Sequence, residues 1–191
     1  MTRKQNLPKS ETELIGRAKA GDKVAFGALV RMFQKPVYNL AYRFVRDHDT
    51  ADDLTQEAFI RAYKALDSFI EGKSFRNWIL TIASNLAINS LRRRKHETPL
   101  DQSVSEETQA DTNPSANPHE QVVASSLRDK IAEAVERLPE EFKAVFVLRT
   151  YEDMSYAEIA EALKIESGTV MSRLSRARAR LKEMLKDYLD E

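Results

Sequence analysis

The sequence predicts an all-α protein: two small helical domains joined by a flexible acidic linker. Three observations carry that prediction. Apolar residues recur at helical spacing on both sides of the chain's middle, and two of those stretches open on an S-x-x-E capping signal. No alternation of Val, Ile and Thr with polar residues marks a strand on either side. Between them, HETPLDQSVSEETQADTNPSANPHEQVVASS (96–126) is polar and acidic, with no aromatic residue and hardly any apolar periodicity. The expected division is 1–95, a linker at 96–126, and 127–191.

In the first domain, Ser10 and Glu13 form a capping box that opens a short helix, which Gly21 ends. Asp22 can cap the next helix. Its apolar residues Phe26, Leu29, Val30, Phe33, Val37, Leu40 and Ala41 run to about Val45, with a kink or break predicted at Pro36. A third helix is predicted after Asp49, burying Leu54, Ala58, Phe59, Ala62 and Leu66. A loop from Asp67 to Ser74 leads into a fourth helix, Phe75 to about Lys95, with Phe75, Trp78, Ile79, Ile82 and Leu86 on its inner side. Trp78 falls in that apolar stripe, so it is read as a packing residue rather than a base platform, as are Tyr38, Tyr42 and Tyr63.

The second domain should hold a helix at about 127–138, another from Pro139 to about 152, and then a helix-turn-helix. Ser155 and Glu158 cap its first helix, with Tyr156, Ile159, Ala160 and Leu163 turned inward. Lys164 to Glu166 make the turn, and Ser167 can cap the second helix. That helix buries Val170, Leu174, Ala177 and Leu181, which puts Ser172, Ser175 and Arg176 on the opposite side. Met171, Arg173, Arg178 and Arg180 lie on its flanks. Outward residues near the N-terminus of such a helix reach base edges in the major groove, and flanking arginines suit phosphates.

Composition narrows the classes. There is no cysteine, so no disulfide framework, thiol chemistry or zinc-cysteine site, which fits a cytoplasmic protein. The start MTRKQNLPKSETELIG has no apolar stretch, and no run approaches a membrane span, so neither a signal peptide nor membrane insertion is expected. The net charge of zero is a cancellation. Residues 1–95 carry 18 Lys and Arg against 10 Asp and Glu, residues 96–126 none against 6, and residues 127–191 12 against 14. His48, His96 and His119 are scattered, and no glycine-rich phosphate loop or metal-ligand spacing exists. Asp52, Asp53 and Glu57 lack companions that would complete a Mg²⁺ site. No catalysis, metal or cofactor is therefore expected.

Two segments of the first domain go beyond generic helices: DTADDLTQEAFIRAYKALDSF (49–69) and FRNWILTIASNLAINSLRRRK (75–95). With LPEEFKAVFVLRTYEDMSYAEIAEAL and GTVMSRLSRARARL, they resemble the bacterial sigma factors of the extracytoplasmic-function group, from about Leu14 to Leu185 and in the same order. Among these the chain is most similar to the envelope-stress type. The resemblance implies a transcription initiation factor. Its first domain would contact core RNA polymerase and open the minus-ten element, and its second would read the minus-thirty-five element as duplex.

On that resemblance, Asp52, Asp53, Gln56 and Glu57, exposed on two turns of one helix, would meet the clamp coiled coil of the polymerase largest subunit. The loop from Phe69 through Lys73 and Ser74, with Arg76, Asn77, Asn85, Asn89, Arg92 and Arg93, would hold minus-ten DNA, Asn85 matching the pocket for a flipped base. Ser167, Thr169, Met171, Ser172, Arg173, Ser175, Arg176, Arg178 and Arg180 would face minus-thirty-five DNA. Many relatives carry Lys or Arg at the position of Met171, which alters one promoter contact. The family also implies an anti-sigma factor as inhibitory partner. The competing reading is a helix-turn-helix regulator that binds duplex DNA alone, as a dimer on palindromic sites. Against it stand the acidic docking helix, the amide-rich basic helix and the absence of a dimer heptad.

Overall fold

The computed structural model describes residues 10–97, 127 and 129–189, and among these there are helices and no strand. The linker expected at 96–126 lies outside the described residues, except for its first two positions, which continue a helix. The chain forms two compact units that divide between Asn89 and Ser90, inside the fourth helix.

The first unit begins with α1, Glu11–Lys19, whose N-cap Ser10 accepts the Glu13 N–H. Gly21 (φ +89) turns the chain into α2, Lys23–Val45. The Asp22 side chain caps α2 through the Val24 and Ala25 N–H groups and also receives Arg17 Nε and Nη2, at 3.0 and 2.6 Å. Those bonds, Arg17's first, hold the Asp22 carboxyl below its ordinary pKa. Pro36 neither breaks α2 nor ends it. The buried stripe Phe33, Val37, Leu40, Ala41 and Phe44 continues across it, and packing offsets the one lost hydrogen bond.

Arg46 closes α2 in the left-handed region (φ 52), and α3 spans His48–Lys64. Its cap is Asp47, which accepts the Thr50 N–H at 2.8 Å, so the helix starts two residues earlier than Asp49 implied. A 3-10 turn, Leu66–Ser68, and a short loop lead to α4, Phe75–Glu97. The core of the unit is Leu29, Leu40, Phe44, Ala51, Ala58, Phe75, Ile79 and Leu80.

In the second unit, α5 covers residues 129–136 and α6 Glu140–Thr150. Every residue from Phe142 to Leu148 is buried, Lys143 included, which makes α6 the central helix of the unit. It packs against α7, Tyr156–Leu163, and α8, Ser167–Met184, followed by a last short turn, α9, Lys186–Leu189. The capping box of α7 is complete: Ser155 N–H donates to Glu158 Oε2 and Glu158 N–H to Ser155 Oγ. Tyr156, expected inward, lies at the surface beneath the Arg149 guanidinium. Lys164 (φ 54) makes the turn. Glu166 rather than Ser167 occupies the cap position of α8, without a side-chain bond.

Candidate nucleic-acid and polymerase interfaces

Three surfaces collect the residues singled out by sequence. The first lies where α2 and α3 meet. Asp52, Asp53 and Gln56 are exposed on α3, while Glu57 is partly covered and accepts Arg61 Nε at 2.7 Å, one turn on. Asp52 and Gln56 line a groove of about 640 Å³ whose other wall is Val30, Gln34, Lys35 and Tyr38 of α2, floored by Phe59. The acidic patch is thus one edge of a two-helix groove. The α2 wall was not singled out from sequence; Gln34 and Tyr38 at i, i+4 spacing were the available signal. Burial, then the charge of Asp52, raises the Tyr38 pKa, so the groove keeps a neutral phenol. Tyr38 and Tyr42 do pack: they stack with the His48 ring, Tyr42 and His48 at 4.5 Å between centroids.

The second surface is the loop before α4 together with that helix. Phe69, expected among the minus-ten contacts, is 3% exposed and packs edge-on against Phe75 and Trp78 (centroids 5.5 and 5.2 Å). Its ring belongs to the core and has no face left for a base. Trp78 is half-buried in the same aromatic cluster, as its place in the apolar stripe implied. Lys73 and Ser74 are exposed, and Ser74 Oγ accepts the Asn77 N–H at 3.2 Å, capping α4. Arg76, Asn77 and Asn85 are half-buried, Asn89 exposed. Thr81 sits between Asn77 and Asn85 with its hydroxyl donated back to the Asn77 carbonyl (2.8 Å), which leaves the amides as the polar feature of that strip. Arg92 and Arg93 are exposed near the end of α4, and Arg92 Nε lies 2.7 Å from Glu140 Oε1.

The third surface is α8. Val170, Leu174, Ala177 and Leu181 are buried, and Met171, Ser172, Ser175, Arg176 and Arg178 are exposed. Ser167 is exposed and Thr169 half-buried. Two flanking arginines find partners on α6, Arg173 partly covered and Arg180 still exposed. Arg173 Nη2 lies 3.0 Å from Glu141 Oε2 with its side chain 28% exposed, and the Arg180 guanidinium sits over the Phe142 ring. Helical stepping placed both on the flanks; their partners lie in another helix and could not be read from α8 alone. Arg173 is thereby drawn off the exposed face, which comprises Met171, Ser172, Ser175, Arg176, Arg178 and Arg180.

Among the described residues, no group of three or more His, Asp or Glu is placed to hold a metal ion, and no helix is long and apolar enough to cross a membrane.

Comparison with known proteins shows the family to which the chain belongs. Residues 29–97 match the family Sigma-70 region 2, and residues 128–181 match Sigma-70, region 4. The chain is 36% identical over 181 residues to the ECF RNA polymerase sigma factor SigW of Bacillus subtilis, covering 91% of this chain and 95% of that protein. It is 37% identical over 170 residues to the ECF RNA polymerase sigma-E factor of Escherichia coli K12, covering 86% and 88%. Among solved structures, CnrH in complex with the cytosolic domain of CnrY superposes with a TM-score of 0.67 at 26% identity, over 92% of this chain and 97% of that one. The sigma factor RpoE in complex with the anti-sigma factor NepR, from Bartonella quintana, shares the fold with a TM-score of 0.65 at 24% identity, over 84% and 96%.

Proposed function

This chain belongs to the extracytoplasmic-function sigma factors of bacterial RNA polymerase, and on that premise we propose that it docks on core polymerase through the α2–α3 groove and reads promoters at two separate surfaces. The observation that carries the reading is α8: an amphipathic helix, second in a capped helix-turn-helix, whose buried stripe leaves Ser172, Ser175 and Arg176 outward. A helix so presented enters the major groove, where Arg176 can pair with guanine O6 and N7 and Ser172 and Ser175 can bond either base type. Met171, 56% exposed, offers an apolar contact suited to a thymine methyl.

The α4 surface suits a different substrate. Asn77 and Asn85 are half-buried amides, a residue type whose donors and acceptors can read the edge of a base taken out of the stack. Arg76 and Arg93 supply charge for the backbone of the separated strand. For docking, the groove combines the exposed carboxylate of Asp52 with an apolar floor, so it favours an amphipathic basic helix. An anti-sigma partner covering that groove would block polymerase binding by occupancy. This fits the relatives solved in complex with an anti-sigma factor or with the cytosolic domain of CnrY.

The test is run-off transcription with purified core polymerase on a promoter library. Promoter-specific transcripts are expected only with the chain present, and Asp52→Lys should abolish them together with polymerase binding. Tight duplex binding by the chain alone, without stimulated transcription, would replace this reading with that of an independent regulator.

A further inference from the structure

The loop that carries the proposed base-reading surface is held by more than its neighbours in sequence. Lys19, at the end of α1 and fifty positions away, donates its ammonium to the Phe69 carbonyl at 2.7 Å. The same nitrogen lies 3.7 Å from Glu71 Oε1 and 6.0 Å from the centroid of the Phe69 ring. Its side chain is only 21% exposed. Helix α1 is itself anchored, by buried Leu14, Ile15 and Ala18 and by the Arg17–Asp22 clamp at its end. Lys19 is therefore a fixed point from which the loop hangs.

The remainder of the loop is built to transmit that constraint. Beyond Phe69, a tight turn closes with the Lys73 N–H bonded to the Ile70 carbonyl at 3.2 Å, and Gly72 (φ +87) supplies the conformation the turn requires. Ser74 then caps α4. The two ends are pinned, and the residues between them, Ile70, Glu71 and Lys73, face solvent. Where the loop starts decides where they sit relative to the amides of α4. Lys19 also pairs with Glu71, an acid within the loop itself.

We infer that Lys19 is a positioning residue for minus-ten recognition: it fixes the register of the 69–74 loop and thereby sets base selectivity at the captured position, without touching DNA itself. The inference rests on the reading of the loop and α4 as the single-strand surface. The hydrogen bond to a backbone carbonyl is what gives it content. The Lys19 ammonium lies closer to this carbonyl (2.7 Å) than to the Glu71 carboxylate (3.7 Å), so its shorter contact is at the point where the loop leaves the aromatic core.

The experiment uses holoenzyme assembled from the full chain and core polymerase. The probes are labelled single-stranded oligonucleotides carrying the nontemplate minus-ten sequence and its single-base substitutions. Wild type is expected to prefer one base at the captured position. Lys19→Met should lower that preference roughly five- to tenfold, the scale of one lost base discrimination, with polymerase affinity and minus-thirty-five duplex affinity unchanged. Lys19→Arg, which keeps charge and donors, should restore most of it. Hydrogen exchange of the Lys73 amide should accelerate in Lys19→Met.

A preference that survives in Lys19→Met overturns the inference, as does an equal loss on every oligonucleotide accompanied by weaker polymerase binding. Lys19→Gln carries the same prediction if Lys19→Met does not fold, and a wild-type preference in Lys19→Gln overturns the inference equally. A selective wild type whose preference falls in Asn85→Ala but not in the Lys19 variants sinks the role of Lys19 and spares the reading of the loop. A wild type with no preference at all sinks both.

Discussion

Helix α8 and the α4 surface are both proposed to read promoter DNA, yet they are constructed on opposite plans. On α8 one helix does everything. Its buried stripe fixes the rotation, and whatever is left outward is the reading face, so Ser172, Ser175 and Arg176 are presented by their own sequence spacing. The α4 surface is an assembly. Its amides come from one helix, its loop is seated on the aromatic cluster of Phe69, Phe75 and Trp78, and the loop's origin is fixed by Lys19 of α1. The difference follows from the substrates. A duplex presents a regular groove that a rigid rod can match, while an unstacked base needs a recess, and a recess needs more than one wall.

The largest expected effect tests whether the two surfaces stand on independent cores. Phe75→Ala removes a ring that is 0% exposed and in contact with Phe33, Phe69 and Trp78, at a cost of about 3–5 kcal/mol to the first unit. Leu174→Ala, at 1% exposure, should cost the second unit about 2–5 kcal/mol. Trp78 is the sole tryptophan and lies in the first unit, so its fluorescence during urea unfolding reports that unit alone. Phe75→Ala should shift this transition and Leu174→Ala should leave it in place, moving only the helical signal of the second unit. An equal shift of the Trp78 transition by both would mean that the cores are coupled.

Next in size is the contrast within α8. Arg176→Ala should remove roughly 1–3 kcal/mol of discrimination at one position of the minus-thirty-five element, measured by holoenzyme binding to substituted duplexes. Arg173→Ala, whose partner is Glu141, should leave the ranking of duplexes unchanged and cost the fold about 0.2–1 kcal/mol. If Arg173→Ala alters sequence preference instead, the narrowed reading face is wrong. Ser155→Ala, which opens the capping box of α7, should destabilise the second unit by about 0.5–2 kcal/mol in thermal unfolding without changing which base Arg176 prefers.

The smallest effect concerns α1, the support of the assembled surface. The Asp22 carboxyl is held below its ordinary pKa of 3.8 by Arg17, so its contribution to stability is present above that value and is lost as pH falls through the lower, folded-state pKa. Asp22→Asn should therefore lower the first unit's stability at neutral pH and flatten its acid limb below about pH 5, since the contribution it removes is the one wild type loses on acidification. An acid limb identical to wild type would detach the Arg17–Asp22 clamp from the stability of this corner.

Much of this molecule could be read from its sequence, and what could not has a common cause. The caps Ser10, Asp22 and Ser155, the buried stripes of α2 and α8, and the all-helical class all depend on residues within a turn or two of one another. The misjudged features depend on distant ones. The interruption that Pro36 could have made is absent because the stripe on either side is held by the rest of the unit. Phe69 looked available to DNA until Phe75 and Trp78 were seen to enclose it. Arg173, placed on a flank of α8, is partly covered because Glu141 of α6 comes beside it. The α2 wall of the groove and the Lys19 tether join segments far apart in the chain, and no local pattern announces them. The cap of α3 is the exception: it is Asp47, two residues before the expected start, and the bond it accepts from Thr50 is local.

The most direct test of the account is a selectivity map of the holoenzyme on a library randomised at both promoter elements, taken for wild type, Arg176→Ala and Asn85→Ala. The account predicts that Arg176→Ala relaxes the map only in the minus-thirty-five element and Asn85→Ala only in the minus-ten element, with polymerase binding intact in both. A map in which either substitution relaxes both elements, or in which Asn85→Ala abolishes polymerase binding, would contradict the division of labour between the two surfaces.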